Sequence, residues 1–338
     1  MIKQSAILSG KGNKTISEKI QILRAIAIFC VVLIHTCPGG MVSVMVRPLL
    51  NIGVATFLFM SGFLTRVPVR DVPRFYLKRI ERVLIPYIIW SIIYSLVQGG
   101  TNLNGMMMNI LLAQSGPQFY YILVYIQLVV LTPFVYRLLI SRFKNIGWII
   151  SPISVLLFIY IPLISRHPLT PLVDTFWKNG CLGWFTYYYL GIGMGNKLIK
   201  ASYSSKKVTR ILLLSLTLQI IEGYYFCLLH SNNCGSQLKL SSLLTNCLFL
   251  LLVYKWMTSK RLTISKKIQK IMVKIGDHSF GIYLCHILVM IELQKAFPHY
   301  FNCPFPLNGI IVFLISYFLI RIVCLVVSSK IVKALGFC

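Results

Sequence analysis

The segment RAIAIFCVVLIHTCPGG, residues 24–40, places ten uncharged residues between an arginine and a histidine and ends in a Pro-Gly-Gly turn. An apolar run of this kind predicts a helix that is buried or spans a membrane. Arg24 and His35 are eleven positions apart, so on a helix they lie about 20° apart around the axis and about 16 Å apart along it. The two ionisable side chains therefore share one face, near opposite ends of the helix.

The remainder of the chain has the same apolar character. Of its 338 residues, 57% are hydrophobic, and only 7 acidic residues accompany 34 Lys and Arg. The mean hydropathy is +0.77. This composition is typical of membrane proteins, in which each helical span uses about 20 residues. We expect one all-α domain over residues 1–338, a polytopic membrane bundle of about ten transmembrane helices that leaves no room for an additional soluble domain.

The distribution of basic residues predicts the orientation of the bundle. The apolar runs cover residues 19–37, 46–65, 83–98, 118–140, 146–165, 179–198, 209–230, 240–257, 275–296 and 306–328. Ten spans place both termini on one side, and 27 of the 34 Lys and Arg fall at the termini or in the loops of that side, against five on the other. Because cytoplasmic loops are enriched in Lys and Arg, we expect cytoplasmic N- and C-termini.

The net charge of +27 does not indicate nucleic-acid binding, because the basic residues sit in short runs between apolar segments rather than on one soluble face. We therefore expect no nucleic-acid partner.

The ten cysteines show no C-x-x-C or His-paired spacing, so we predict no metal site. Cys234 and Cys303 fall in candidate outer loops and could pair in an oxidising compartment.

Placing an ionisable residue within a membrane span costs several kcal/mol of insertion free energy, about 2.5–3.5 kcal/mol for arginine at the centre. The presence of each such residue therefore requires an explanation. Snorkelling to the membrane surface explains Arg24 or His35 alone, but the pair on one stripe favours a polar pathway through the bundle. A neutral His35 is a good candidate general base. Glu222 and His286 are possible accessory residues, although His286 could equally be a hydrogen-bonded structural histidine.

The stretch RFYLKRIERVLIPY, residues 74–87, predicts a basic helical face at the cytoplasmic membrane surface. Arg79 and Arg82 form an i, i+3 pair on it. Topology and attraction to anionic lipid, about 1 kcal/mol per basic residue, account for positive charge in general. They do not account for arginine at both positions, and the planar guanidinium suits phosphate oxygens. We predict membrane lipid as a partner and a phosphate site at this pair.

Six segments, in order, resemble the acyltransferase-3 family of integral membrane O-acyltransferases, which modify bacterial cell-surface sugars. They read ILRAIAIFCVVLIHT, GVATFLFMSGFL, FYLKRIERVLIPYIIW, QFYYILVYIQL, WFTYYYLGIGMG and SFGIYLCHILV. The resemblance implies that His35 is catalytic and belongs with Arg24, and that Arg79 and Arg82 match the inner RxxR motif. The chain has Phe119 and Tyr120 where family members often have tryptophan, so no role is transferred to that motif.

The resemblance also implies the reaction. An acyl group, usually acetyl, is taken from cytoplasmic acyl-coenzyme A (acetyl-CoA) and delivered to a hydroxyl of a surface polysaccharide or lipid-linked glycan, such as O-antigen, capsule or exopolysaccharide. The donor is a substrate, and we expect no permanently bound cofactor. The expected location is the bacterial cytoplasmic (inner) membrane.

Two other functions fit the apolar spans. A transporter or flippase of a lipid-linked sugar or polysaccharide would also need polar groups in the bundle, but neither repeated halves nor broken helices around a midplane site are evident in the sequence. A membrane scaffold without chemistry would leave the Arg24 and His35 alignment as a coincidence.

Overall fold

The computed structural model describes residues 11–99, 102–200, 202–229, 233–259, 264–297 and 303–337. Within these ranges the chain is helical and has no β-strand, which confirms the all-α class. The helices are α1 (Lys11–Thr36), α2 (Gly40–Leu50), α3 (Ile52–Phe63), α4 (Val72–Val97), α5 (Leu103–Leu111), α6 (Tyr120–Val130), α7 (Thr132–Ile140), α8 (Ile146–Val155), α9 (Ile161–Ser165), α10 (Pro171–Asn179), α11 (Phe185–Gly195), α12 (Ser205–Leu228), α13 (Leu240–Thr258), α14 (Lys266–Asp277), α15 (Ser279–Ala296), α16 (Leu307–Val326) and α17 (Ser329–Ala334). A π-helical segment, Leu156–Tyr160, joins α8 to α9, and a 3-10 turn, Leu182–Trp184, leads into α11.

Seven helical stretches in these ranges are long and apolar enough to cross a bilayer. They are Thr15–Thr36, Gly40–Phe63, Val72–Val97, Ile146–Ser165, Ser205–Leu228, Leu240–Thr258 and Leu307–Val326. The α6 and α7 pair, bent by 54°, makes an eighth if it counts as one span. The chain therefore fits a multi-pass membrane protein, whereas the predicted count of ten spans is not confirmed. The cytoplasmic location of the termini stays a prediction, and part of the basic N-terminal segment lies outside the described residues.

Two of the predicted spans, 179–198 and 275–296, are not among these stretches. Helix α11 has 11 residues and a length of about 16 Å, roughly half the hydrocarbon thickness of a bilayer. Its residues from Phe185 to Met194 are all buried, so this run is apolar because it packs against protein. The run 275–296 breaks at His278, between the basic helix α14 and α15.

Helix α1 lies at the centre of the bundle. It contacts α2, α3, α13, α14, α15 and α16, and Ile28 and Val32 on it are fully buried. The outer helices instead expose large apolar side chains, such as Leu214 on α12 and Val326 on α16, which are 71% and 80% exposed. Apolar side chains facing outward are what a lipid-facing surface requires.

Glycines allow α3 and α11 to cross with their backbones in contact. A Cβ atom at Gly191 or Gly195 would collide with backbone atoms of Phe59 or Phe63, and one at Gly62 would collide with the carbonyl oxygen of Tyr188. Small residues commonly allow such close packing between membrane helices. The crossing fixes α11, and therefore the loop before it, against the centre of the bundle.

Basic side chains bind backbone carbonyl groups at helix ends. Lys19 is fully buried and its Nζ donates to the carbonyl oxygens of Trp256 and Ser259, both at 2.7 Å, at the end of α13. Arg66 Nη1 donates to Gly195 O, the last residue of α11, at 3.1 Å. The carbonyl end of a helix carries partial negative charge, so these contacts stabilise both the cation and the helix end.

Within the described residues no disulfide joins Cys234 to Cys303, so this possible pair is not formed in the structure. Cys234 instead lies beside Cys227, and burial raises the pKa of its thiol to about 11.

We predict that Gly191→Ala lowers stability by about 1–3 kcal/mol, because the methyl group is forced into the backbone of α3. The matched control is Gly39→Ala, where a Cβ atom meets nothing within 4 Å. Thermal unfolding of both purified variants in one detergent measures the difference. Equal midpoints would show that the crossing does not depend on close backbone contact.

Candidate active site

Arg24 lies at one end of the predicted α1 stripe, in an environment shared with α4, α6 and α14. Its half-buried guanidinium interacts electrostatically with Tyr121 and Tyr125 of α6, with Arg82 of α4 and with Asp277 of α14. The structure thus brings Arg24 and Arg82 together, although 58 positions separate them in the sequence. Arg82 repels Arg24 whereas Asp277 attracts it, and the repulsion between the two guanidinium groups favours a further anion beside them.

Arg79 and Arg82 lie on α4, which starts at Val72 and continues without interruption to Val97. The predicted basic helical face is therefore the first part of this helix, whose N-terminus is capped by the Asp71 side chain, which accepts from Arg74 N at 3.0 Å. Arg79 is half-buried and its Nη1 lies 3.5 Å from Ser61 Oγ on α3, whereas Arg82 is exposed. The pair extends from the surface to the α3 and α11 crossing.

A chain of ring contacts leads from the arginine end of α1 to His35. The ring centroids of Tyr125 and Tyr121 are 6.4 Å apart, those of Tyr121 and Tyr283 are 5.5 Å apart, and those of Tyr283 and His286 are 6.4 Å apart. The last contact, between His286 and His35, has a centroid distance of 5.2 Å. Aromatic rings therefore follow α1 along the face that carries its two ionisable side chains.

The hydrogen bonds of His286 determine its tautomer. Its Nδ1 lies 3.0 Å from Ile282 O and 2.9 Å from Tyr283 O. A carbonyl oxygen can only accept, so Nδ1 carries the proton and Nε2 is left as an acceptor in the neutral ring. That Nε2 is buried and has no hydrogen-bond partner among the described residues. Leaving a buried acceptor without a donor costs free energy of folding, and a substrate hydroxyl or an N–H of His35 could donate a hydrogen bond to this Nε2.

His35 lies at the other end of the stripe, on the wall of a cavity of about 690 Å³. The cavity is also lined by Arg47 of α2, Tyr120 of α6, Asp174 and Lys178 of α10, Trp184, and Gln237 of the loop before α13. Its volume is within the range of small-ligand sites. The ring of His35 makes no hydrogen bond within the described part of the chain, so both of its nitrogens are available to a ligand.

Charged groups inside this cavity are only partly paired. Lys178 and Asp174 form an ion pair of 2.5 Å. Arg47 Nη2 donates to Ile34 O at 3.0 Å, beside His35, and its Nε is buried without a partner in the described ranges. The cavity therefore joins a histidine with free nitrogens to an arginine that has unused donor capacity.

Glu222 is held in a different network. Its carboxylate accepts from the hydroxyls of Tyr160 and Ser241, and it is not among the residues that line the cavity. Lys239 nearby donates to Gln219 O at 3.2 Å and to Cys234 O at 2.8 Å. Burial lowers the pKa of the Lys239 ammonium, and the Glu222 carboxylate opposes that shift. These bonds indicate a structural junction between α12 and α13.

The sequence identified Arg24, His35 and His286 as candidates. It did not identify the tyrosines that lie between Arg24 and His286, or Arg47 beside His35. Tyr121 and Tyr125 have i, i+4 spacing in QFYYILVYIQL, and Tyr283 and His286 have i, i+3 spacing in SFGIYLCHILV, so helical spacing could have paired each set. Arg47 gave no such signal, because it stands alone between apolar residues. Only the contact of α2 with the end of α1 reveals it.

Comparison with known proteins gives one family. A family model described as Acyltransferase domain, that of the acyltransferase-3 family, matches residues 17–329, nearly the whole chain. The comparisons with curated proteins and with solved structures gave no match. The match spans Arg24, His35, Arg79, Arg82 and His286, and with the helical membrane fold it shows that this chain belongs to the acyltransferase-3 family.

Proposed function

We propose that this protein is a membrane O-acyltransferase that transfers an acyl group, with acetyl the first candidate, from cytoplasmic acyl-CoA to a hydroxyl of a surface or lipid-linked glycan on the outer side. Membership in the family implies an acyltransferase. The more specific proposal, of a donor, an acceptor and a catalytic residue, is supported by the position of His35. This residue lies on the wall of a cavity at one end of α1, in ring contact with His286.

The donor would enter at the arginine end. CoA is an anion with several phosphate groups, and Arg79 and Arg82, with Arg24 beside Arg82, supply guanidinium groups suited to them. The thin pantetheine arm would then follow the tyrosines of α6 and α15 toward His35. The clustering of Lys and Arg in predicted inner loops supports a cytoplasmic location for this end in a bacterial inner membrane.

At the other end, His35 would act on the acceptor. As the acceptor oxygen attacks the thioester carbonyl, its proton passes to a nitrogen of His35, and the CoA sulfur leaves and takes that proton. The alternative is transfer through an acyl-His35 intermediate, which the acceptor hydroxyl then attacks. In either case His286, with its free Nε2, would position the hydroxyl or the ring of His35.

Replacement of His35 tests the proposal. We expect His35→Ala to lower acyl transfer by about 10²–10⁴-fold, the usual contribution of a general base. The measurement is labelled ester formed by purified protein in liposomes from radiolabelled acetyl-CoA and acceptor glycan. His167→Ala is the control, because His167 is exposed and lies outside the cavity.

Wild-type transfer by His35→Ala at equal abundance would end the catalytic assignment. The transporter or flippase alternative predicts a different result, in which the purified protein forms no ester and deletion of the gene reduces glycan export without removing an acyl group.

The arginine pair is tested by its effect on the donor. We expect Arg79→Ala with Arg82→Ala to raise the KM for acetyl-CoA at least tenfold, because two charge-assisted contacts to phosphate are lost. Arg74→Ala with Lys78→Ala removes the same charge from exposed positions of the same helix and should leave KM nearly unchanged. An equal rise of the KM for acetyl-CoA in both double variants would show that Arg79 and Arg82 act only through the general positive charge of this surface.

His286 is tested with two isosteric amides. Asn at position 286 can keep the bond to the Ile282 and Tyr283 carbonyls but offers nothing at the position of Nε2, whereas Gln can place an acceptor oxygen there. We expect His286→Asn to lower kcat about 10–100-fold with little change in the KM for acetyl-CoA, and His286→Gln to retain part of the activity. A full loss of folded protein in both variants would instead assign His286 to the core.

A further inference from the structure

Arg47 differs from the other cations that bind helix ends. Its Nη2 donates to Ile34 O at the end of α1, much as Arg66 Nη1 donates to Gly195 O at the end of α11. Arg66 is exposed, whereas Arg47 is half-buried, lines the His35 cavity and retains a buried Nε without a partner among the described residues. Binding a helix end therefore uses only part of the Arg47 guanidinium.

No Asp or Glu of this chain forms an ion pair with Arg47. All seven Asp and Glu residues lie within the described ranges, and the ion pairs found there join Lys178 to Asp174 and Lys295 to Glu292. The Cys37 thiol lies next to Arg47, but burial raises the pKa of that thiol, against the effect of Arg47, and it stays neutral near pH 7. A partly buried cation without an anion is unfavourable, and an anionic group of a ligand in the cavity would balance its charge.

Other polar atoms of the cavity wall that lack a hydrogen-bond partner indicate which kind of molecule bears the anionic group. Trp184 Nε1, a donor, and Gln237 Oε1, an acceptor, are buried and have no partner in the described residues. The rings of Tyr120 and Trp184 are stacked, with centroids 6.0 Å apart and planes at 29°. The partly exposed ring of Tyr120, beside these unpartnered donor and acceptor atoms, suits a ring that has both apolar C–H faces and hydroxyl groups.

We propose that the cavity binds an acidic saccharide, with its carboxylate or phosphate on Arg47 and the hydroxyl to be acylated beside His35. This inference rests on the proposed function, since it names the class of acceptor. A sugar carboxylate and a glycosyl phosphate share the chemistry that Arg47 recognises, and a guanidinium can bind either through two parallel hydrogen bonds. Among the described residues that line the cavity the cations are Arg47 and Lys178, and Lys178 is ion-paired with Asp174, which leaves Arg47 as the candidate.

The test compares matched acceptors with Arg47 variants. A disaccharide ending in glucuronic acid, its glucose-ended counterpart and glucose 1-phosphate are offered to the protein in liposomes. We expect the KM for at least one acidic acceptor to be about tenfold or more below that of the neutral one, the scale of a charge-assisted hydrogen bond. Comparing glucuronate with phosphate identifies the source of the anion.

The variants separate recognition from folding. Arg47→Gln should remove the preference for the acidic acceptor, Arg47→Lys should keep part of it, and the KM for acetyl-CoA should stay unchanged in both. Arg66→Gln removes the same kind of helix-end bond outside the cavity and should keep the full preference. A preference for the neutral acceptor, or an unchanged preference in Arg47→Gln, would overturn the proposal.

A binding measurement distinguishes failure of this inference from failure of the proposed function. Thermal unfolding of the His35→Ala protein is followed with each of the three saccharides, and no transfer is needed. A larger stabilisation by an acidic saccharide than by the neutral one supports acid recognition even if no acyl ester ever forms. Equal stabilisation by all three contradicts it even if transfer is observed.

Discussion

The shortage of acidic residues governs how this bundle accommodates its charges. With 7 Asp and Glu against 34 Lys and Arg, most cations cannot find a carboxylate. Backbone carbonyl groups at helix ends take that place for Lys19, Arg66 and Arg47. The Lys19 contact joins α1 to the end of α13, and the Arg66 contact joins the segment after α3 to the end of α11, so these two bonds also connect parts of the bundle that are distant in the chain. The Arg47 contact joins the consecutive helices α2 and α1.

Because of the same shortage, the candidate active site has an excess of positive charge. Arg24 and Arg82 meet at one end of α1, and Arg47 stands beside His35 at the other. Asp277 partly balances the charge of Arg24, whereas the ion pairs found within the described residues include neither Arg82 nor Arg47. A phosphate-bearing donor at the first end and an acidic acceptor at the second would each supply the missing charge, and α1 would hold both at a fixed separation.

Local helical geometry was enough to predict part of this structure. The Arg24 and His35 stripe and the basic face of α4 follow from spacing within one helix. The span count did not, because hydropathy cannot distinguish a run buried in protein, such as Phe185–Met194, from one facing lipid. The ring contact between His35 and His286 joins residues 251 positions apart, and no local pattern contains that information.

The proposed reaction requires one path along α1 that connects the arginines of α4 to His35. The most direct measurement is the structure of the protein in lipid nanodiscs with an unreactive thioether analogue of acetyl-CoA. We predict its phosphate groups on Arg79 and Arg82 and its carbonyl group within reach of His35, on the side of the Tyr121 and Tyr283 rings. An analogue bound with its acyl end away from His35, or bound only outside the bundle, would contradict this account.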